Sequence, residues 1–154
     1  AMRLEAGLEA EQHLSENPDS PRTLEWQLLV EDDALVRSYA ERLLTGLGFE
    51  VVSTENADEA LIKLESDGRF DILLTDVVMP GSMDGIGLAD RAIAIDPELV
   101  ALYMSGYTRD RFSKKKELDP DAILLNKPFR RNELVGVLHR VWSRKKSDRG
   151  GKGD

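Results

Sequence analysis

Between Trp26 and Trp142, short apolar runs take turns with stretches of helical periodicity. The runs are Trp26–Val30, Phe49–Ser53, Asp71–Thr75, Leu99–Met104 and Ala122–Leu125. Uninterrupted apolar runs bounded by polar residues suit strands buried on both faces. Leu35, Val36, Tyr39, Ala40, Leu43, Leu44 and Leu47 recur at helical spacing, and Gly46 and Gly48 stop them. Asn56 and Glu59 form a capping-box pair opening a helix with Ala60, Leu61 and Leu64. Ile86, Leu88, Ala89, Ala92 and Ile93 mark a third helix, ended near Asp96-Pro97. Thr108 to Glu117 is charged and weakly periodic, a short helix at best. The last helix is expected from about Arg131 to Trp142, with Leu134, Val135, Leu138, Val141 and Trp142 on one face. Strands alternating with helices imply right-handed crossovers and a parallel sheet covered on both faces, a three-layer α/β fold.

The ends read differently. Residues 1–25 carry Leu4, Leu8 and Leu14, but Asn17-Pro18-Asp19-Ser20-Pro21 breaks any regular structure. This stretch is expected to be a linker or the tail of a preceding segment. Residues 143–154 are basic and Gly-rich and are expected to be a disordered tail. The 154 residues suffice for one domain with its own core. Hydrophobic residues at 41% and charged residues at 32% give a globular balance, and no window approaches a membrane span. No secretory signal is readable. With no Cys, thiol chemistry and disulfides drop out, and a cytoplasmic location is expected. The net charge of −8 argues against a nucleic-acid grip over the whole domain.

The polar residues at the strand ends carry the chemistry. The first strand ends on Glu31 and Asp32, the third on Asp76, the fourth on Ser105 and the fifth on Lys127. Parallel strands put all their carboxyl ends at one edge, where such sheets gather ligands. Three carboxylates in one crevice repel one another unless a cation joins them. Oxygen donors without His or Cys suit a hard divalent ion, Mg²⁺ above all. A Lys and a hydroxyl beside them suit an anion, and a phosphoryl group fits. The set describes a carboxylate nucleophile, a charge-offsetting metal, and a Lys and Ser that hold phosphoryl oxygens. Each residue alone has a duller role: Asp33, for instance, reads as a helix N-cap. Jointly, independent strand ends supply what one reaction needs.

These motifs carry a resemblance. Val30-Glu31-Asp32-Asp33, Leu74-Thr75-Asp76-Val77-Val78-Met79-Pro80-Gly81, Met104-Ser105-Gly106-Tyr107 and Asn126-Lys127-Pro128-Phe129 resemble the receiver domain of two-component response regulators, over residues 26–142. The resemblance implies a flavodoxin-like doubly wound five-stranded parallel sheet of order 2-1-3-4-5. It implies that Asp76 takes a phosphoryl group from a histidine kinase or histidine phosphotransfer protein. It further implies that Asp32, Asp76 and the Val78 backbone carbonyl ligate Mg²⁺, with Glu31 acting through water. Ser105 and Lys127 would hold the phosphoryl oxygens, and Lys127-Pro128 would be cis. The spelling Met79-Pro80-Gly81-Ser82-Met83-Asp84-Gly85 is most similar to receivers of hybrid sensor histidine kinases. A homodimer through the face of segment 108–117, the fifth strand and the last helix is a further expectation.

One departure stands out. The family's aromatic three residues before the Lys is Leu124 here. Activation is therefore expected to rearrange the segment after the fourth strand without an aromatic flip, with Tyr107 sharing the role. Neither Val78 nor Tyr107 offers a carboxylate or amide to orient water, so self-dephosphorylation should be slow. Such a domain is regulatory rather than an enzyme. An aspartyl-phosphate phosphatase would need a second Asp where Val78 stands. The alternative is a receiver-like interaction module that is not phosphorylated. His13 and His139 read as surface residues rather than phosphodonors, and Arg144-Lys145-Lys146 as a solvated helix end.

Overall fold

The computed structural model describes residues 25–66, 69–81, 83–106 and 118–152, with side chains through Arg144. Residues 1–24 of the expected leader, the segment Thr108–Glu117 and Tyr107 lie outside the described residues. The elements run β1 (Trp26–Val30), α1 (Ala34–Gly46), β2 (Glu50–Thr54), α2 (Ala57–Ser66), β3 (Ile72–Asp76), α3 (Gly85–Ile95), β4 (Val100–Ser105), β5 (Ile123–Asn126) and α4 (Arg131–Lys152). All ladders are parallel, and the sheet order is β2-β1-β3-β4-β5. This is the flavodoxin-like arrangement that the motifs imply.

Alternate strand residues feed two cores. Leu29, Ile72, Leu74, Leu102, Met104, Ile123 and Leu125 pack with Ala40 and Leu44 of α1 and with Leu134, Leu138 and Val141 of α4. Leu28, Val30, Leu73 and Tyr103 pack with Ala60 and Leu64 of α2 and with Ile86, Leu88, Ala89 and Ala92 of α3. The inner strands β1, β3 and β4 are buried on both faces because the pleat sends successive side chains to opposite layers. Truncating one such leucine to Ala would cost about 2–5 kcal/mol.

The structure corrects several expectations. β1 falls where the apolar run predicts, but the other four strands each sit one residue later. Their last residues, Thr54, Asp76, Ser105 and Asn126, are polar yet still in register, with Val30 opposite Thr54, Asp76 opposite Met104 and Ser105 opposite Asn126. Backbone pairing ignores side-chain polarity, which an apolar run does not. Asp71, expected in the strand, instead accepts the N–H groups of Glu25 and Trp26, both at 2.9 Å, through its carboxylate. α4 continues past Trp142 through Lys152, into the stretch read as a disordered tail. Ile93 lies in the expected third helix but is exposed.

Local signals explain the helix ends. α1 stops at Gly46, Leu47 caps it, and Gly48 has φ +101°, a conformation that glycine adopts without penalty. At α2 the Asn56 side chain accepts the Glu59 N–H at 2.9 Å, and the Glu59 carboxylate reaches back to the Glu55 N–H at 3.1 Å. Asp84 caps α3 by accepting the Gly87 N–H.

Candidate functional site

The carboxyl ends of β1, β3, β4 and β5 bring the predicted residues to one edge. Glu31 follows β1 and is buried, whereas Asp32 beside it is exposed. Asp33 is the N-cap of α1: its Oδ1 accepts the N–H groups of Leu35 at 2.9 Å and Val36 at 3.2 Å. That leaves Glu31 and Asp32 as the acids that face the crevice. Asp76 ends β3 with 3% of its surface exposed. Carboxylate oxygens of Glu31, Asp32 and Asp76 all lie within 4.8 Å of one another.

Lys127 closes the cluster. Its Nζ donates to Asp76 Oδ1 at 2.8 Å and to Glu31 Oε1 at 3.0 Å. The Glu31 Oε2 accepts the Asp33 N–H at 2.9 Å. Burial pushes the Asp76 carboxyl up from 3.8 to about 8, the Glu31 carboxylate pushes the same way, and Lys127 opposes both. Burial pulls the Lys127 ammonium down, but Asp76 and Glu31 outweigh it and hold it above its ordinary value. One cation thus serves two buried acids, and the Asp76 carboxyl keeps its proton to higher pH. Three oxygen donors this close, with repulsion that one Lys does not cancel, fit a hard divalent cation.

Ser105 ends β4 and is buried, and its carbonyl accepts the Lys127 N–H at 2.8 Å. Val78 lies two residues beyond Asp76 with its side chain exposed. Leu124 is partly buried beside Tyr103, its cross-strand partner. The Lys127–Pro128 peptide is cis.

Three contributors to the site escape the sequence reading. A Cβ on Gly85 would lie 1.8 Å from the Asp76 carbonyl oxygen, so the start of α3 is seated directly on the backbone of Asp76. The Gly85 N–H also donates to the Val77 carbonyl at 2.9 Å. The available signal was a glycine at a helix start where an N-cap already sufficed. Arg37 on α1 donates from Nη1 to the Glu31 carbonyl at 2.8 Å. Tyr39 donates to the Phe129 carbonyl at 2.9 Å, and its ring lies 5.6 Å from that of Phe129.

Leu35 and Tyr39 follow the α1 period, yet Leu35 is 82% exposed rather than core. With Val36, Gly106, Pro128 and Phe129 they line a largely apolar cleft of about 600 Å³ that reaches Lys127. The phosphoacceptor candidate and an open apolar surface therefore share one edge.

Comparison with known proteins decides the family. Residues 28–139 match the model of the response regulator receiver domain. The chain belongs to the response regulator receiver family. This receiver is 36% identical over 114 residues to the response regulator receiver protein CpdR of Brucella abortus, covering 74% of the chain and 93% of that relative. It is 37% identical over 112 residues to the sensor kinase CckA of the same organism, covering 72% of the chain but 12% of that kinase. Among solved structures, a response regulator receiver protein from Sinorhizobium medicae superposes with a TM-score of 0.69 at 28% identity, covering 79% of this chain and 96% of the other. The receiver domain of the hybrid histidine kinase CckA superposes with a TM-score of 0.63 at 32% identity, covering 76% and 98%. Such domains are regulatory. No described helix is long and apolar enough to cross a membrane.

Proposed function

We propose that this receiver accepts a phosphoryl group on Asp76 from a phosphohistidine of a histidine kinase or histidine phosphotransfer protein. The observation that carries the reading is the meeting of buried Asp76 and Glu31 with half-buried Lys127, beside exposed Asp32. An Asp76 carboxylate oxygen attacks phosphorus, a P–O bond forms, and the P–N bond to the donor imidazole breaks. The imidazole leaves with the electron pair and takes up a proton. Asp32, Asp76 and the Val78 carbonyl, with Glu31 acting through water, would hold Mg²⁺, which would supply positive charge to offset the acids and the phosphoryl oxygens.

Lys127 is already at Asp76 Oδ1 and shifts its ammonium to a phosphoryl oxygen as charge arrives. Ser105, on the neighbouring strand end, donates its hydroxyl to another. The acyl phosphate adds about one to two negative charges, and gathering them biases the segment after β4 toward its partner-binding form. Leu124 leaves no aromatic at the usual fifth-strand position, so the switch runs without a ring flip there. The exposed Val78 side chain has no group to orient water, so the phosphorylated form is long-lived. The donor helix seats on the apolar cleft at Leu35 and Phe129, next to Lys127. We place the domain in the cytoplasm, where such kinases present their phosphohistidine. The expected homodimer face includes segment 108–117, outside the described residues.

The test is phosphorylation of the full chain by a small acyl-phosphate donor with Mg²⁺, read by intact mass. The native chain should gain one phosphoryl group and Asp76→Asn none. Equal gain in both, or none in either, sinks the proposal.

A further inference from the structure

We infer that Arg37 is a positioning residue for the cation site, holding the main chain of the acid loop so that its carboxylates face the ion. The inference rests on the Mg²⁺-dependent reading above and deepens it.

Glu31 is secured at every polar group. Its N–H donates to the Thr54 carbonyl at 3.1 Å. Its carboxylate takes the Asp33 N–H and the Lys127 ammonium. Its carbonyl takes the Arg37 guanidinium at 2.8 Å, and the same Nη1 lies 3.5 Å from the Asp32 carbonyl, at the outer limit of a hydrogen bond. The Arg37 N–H in turn donates to the Asp33 carbonyl at 2.9 Å. The loop 31–33 is thus closed between the end of β1 and the first turn of α1. Arg37 binds carbonyls and leaves the carboxylates to the ion. Held carbonyls also cannot rotate inward and compete with the carboxylates as donors. Outer contacts of this kind orient ligands and tune affinity.

Charge and position predict opposite signs. A guanidinium beside a divalent site repels the ion, so a residue acting through its charge alone would, on removal, tighten Mg²⁺ binding. A positioning residue, on removal, would weaken it.

The experiment measures the Mg²⁺ dissociation constant of the full unphosphorylated chain by calorimetry, with the melting temperature recorded in chelator. Arg37→Gln should weaken Mg²⁺ binding about tenfold. Arg37→Lys, which keeps the charge but loses the planar fork, should also weaken it, and it decides the matter should Arg37→Gln not fold. Unchanged or tighter binding in the folded variants overturns the inference, and so does a lowered melting temperature with unchanged affinity. A native chain that binds no Mg²⁺ would overturn the functional reading itself, a result distinct from equal binding by native and variant chains.

Discussion

Lys127 Nζ lies 2.8 Å from Asp76 Oδ1, yet the metal-free Asp76 carboxyl is pushed up to about 8. Burial and Glu31 outweigh the lysine. For an acid whose folded pKa exceeds its unfolded one, the folded state binds the proton more tightly, so the stabilisation is present in full below 3.8 and lost as pH rises to about 8. Metal-free native protein should therefore lose stability relative to Asp76→Asn across that window. The gap should be on the order of a few kcal/mol, and saturating Mg²⁺ should shrink it. Urea melts at several pH values check this, and parallel profiles would refute it.

Gly85 has no room for a side chain because the Asp76 carbonyl occupies the space. Gly85→Ala must push α3 away from the end of β3. We expect a loss of about 3 kcal/mol, at the upper end for overpacking, together with slower phosphorylation by a small donor. Denaturant titration and intact mass measure both. A variant as stable as the native chain would contradict this seating.

Gln27 is fully buried in β1, and neither its amide nitrogen nor its amide oxygen has a hydrogen-bond partner among the described residues. Removing an unsatisfied buried amide relieves about 1–3 kcal/mol. Gln27→Leu should raise the urea midpoint by a corresponding amount without changing the slope. A lower midpoint would mean that the amide is satisfied in solution.

Leu35 is exposed at the mouth of the cleft beside Lys127. If the donor helix seats there, Leu35→Arg should slow phosphotransfer from a protein phosphohistidine about tenfold, the effect of losing one interface anchor. Phosphorylation by a small acyl phosphate should be unchanged. Equal slowing of both donors would place the defect in the chemistry rather than in docking.

Local chemistry was legible in the residues: the Asp33 cap, the Asn56–Glu59 pair, and the acids, hydroxyl and lysine at the strand ends. Strand limits slipped by one because polarity ends an apolar run before it ends a ladder, as at Asp76 and Ser105. Periodicity showed that Leu35 and Tyr39 share a helical face, but not that this face opens beside the Lys127 loop. The Tyr39 to Phe129 bond joins residues far apart in sequence, and Gly85 meets Asp76 only after the chain has turned back on itself. Such relations exist only once the sheet is assembled.

The main-chain bond from Lys127 to Ser105 has a wider consequence. The main chains of the two residues assigned to grip the phosphoryl oxygens are joined before any ligand arrives. Their spacing is inherited from sheet pairing rather than from the loops that follow. Loops beyond the tether can then diverge to suit new listeners while the grip keeps its dimensions, and one chemical head can serve many kinds of message.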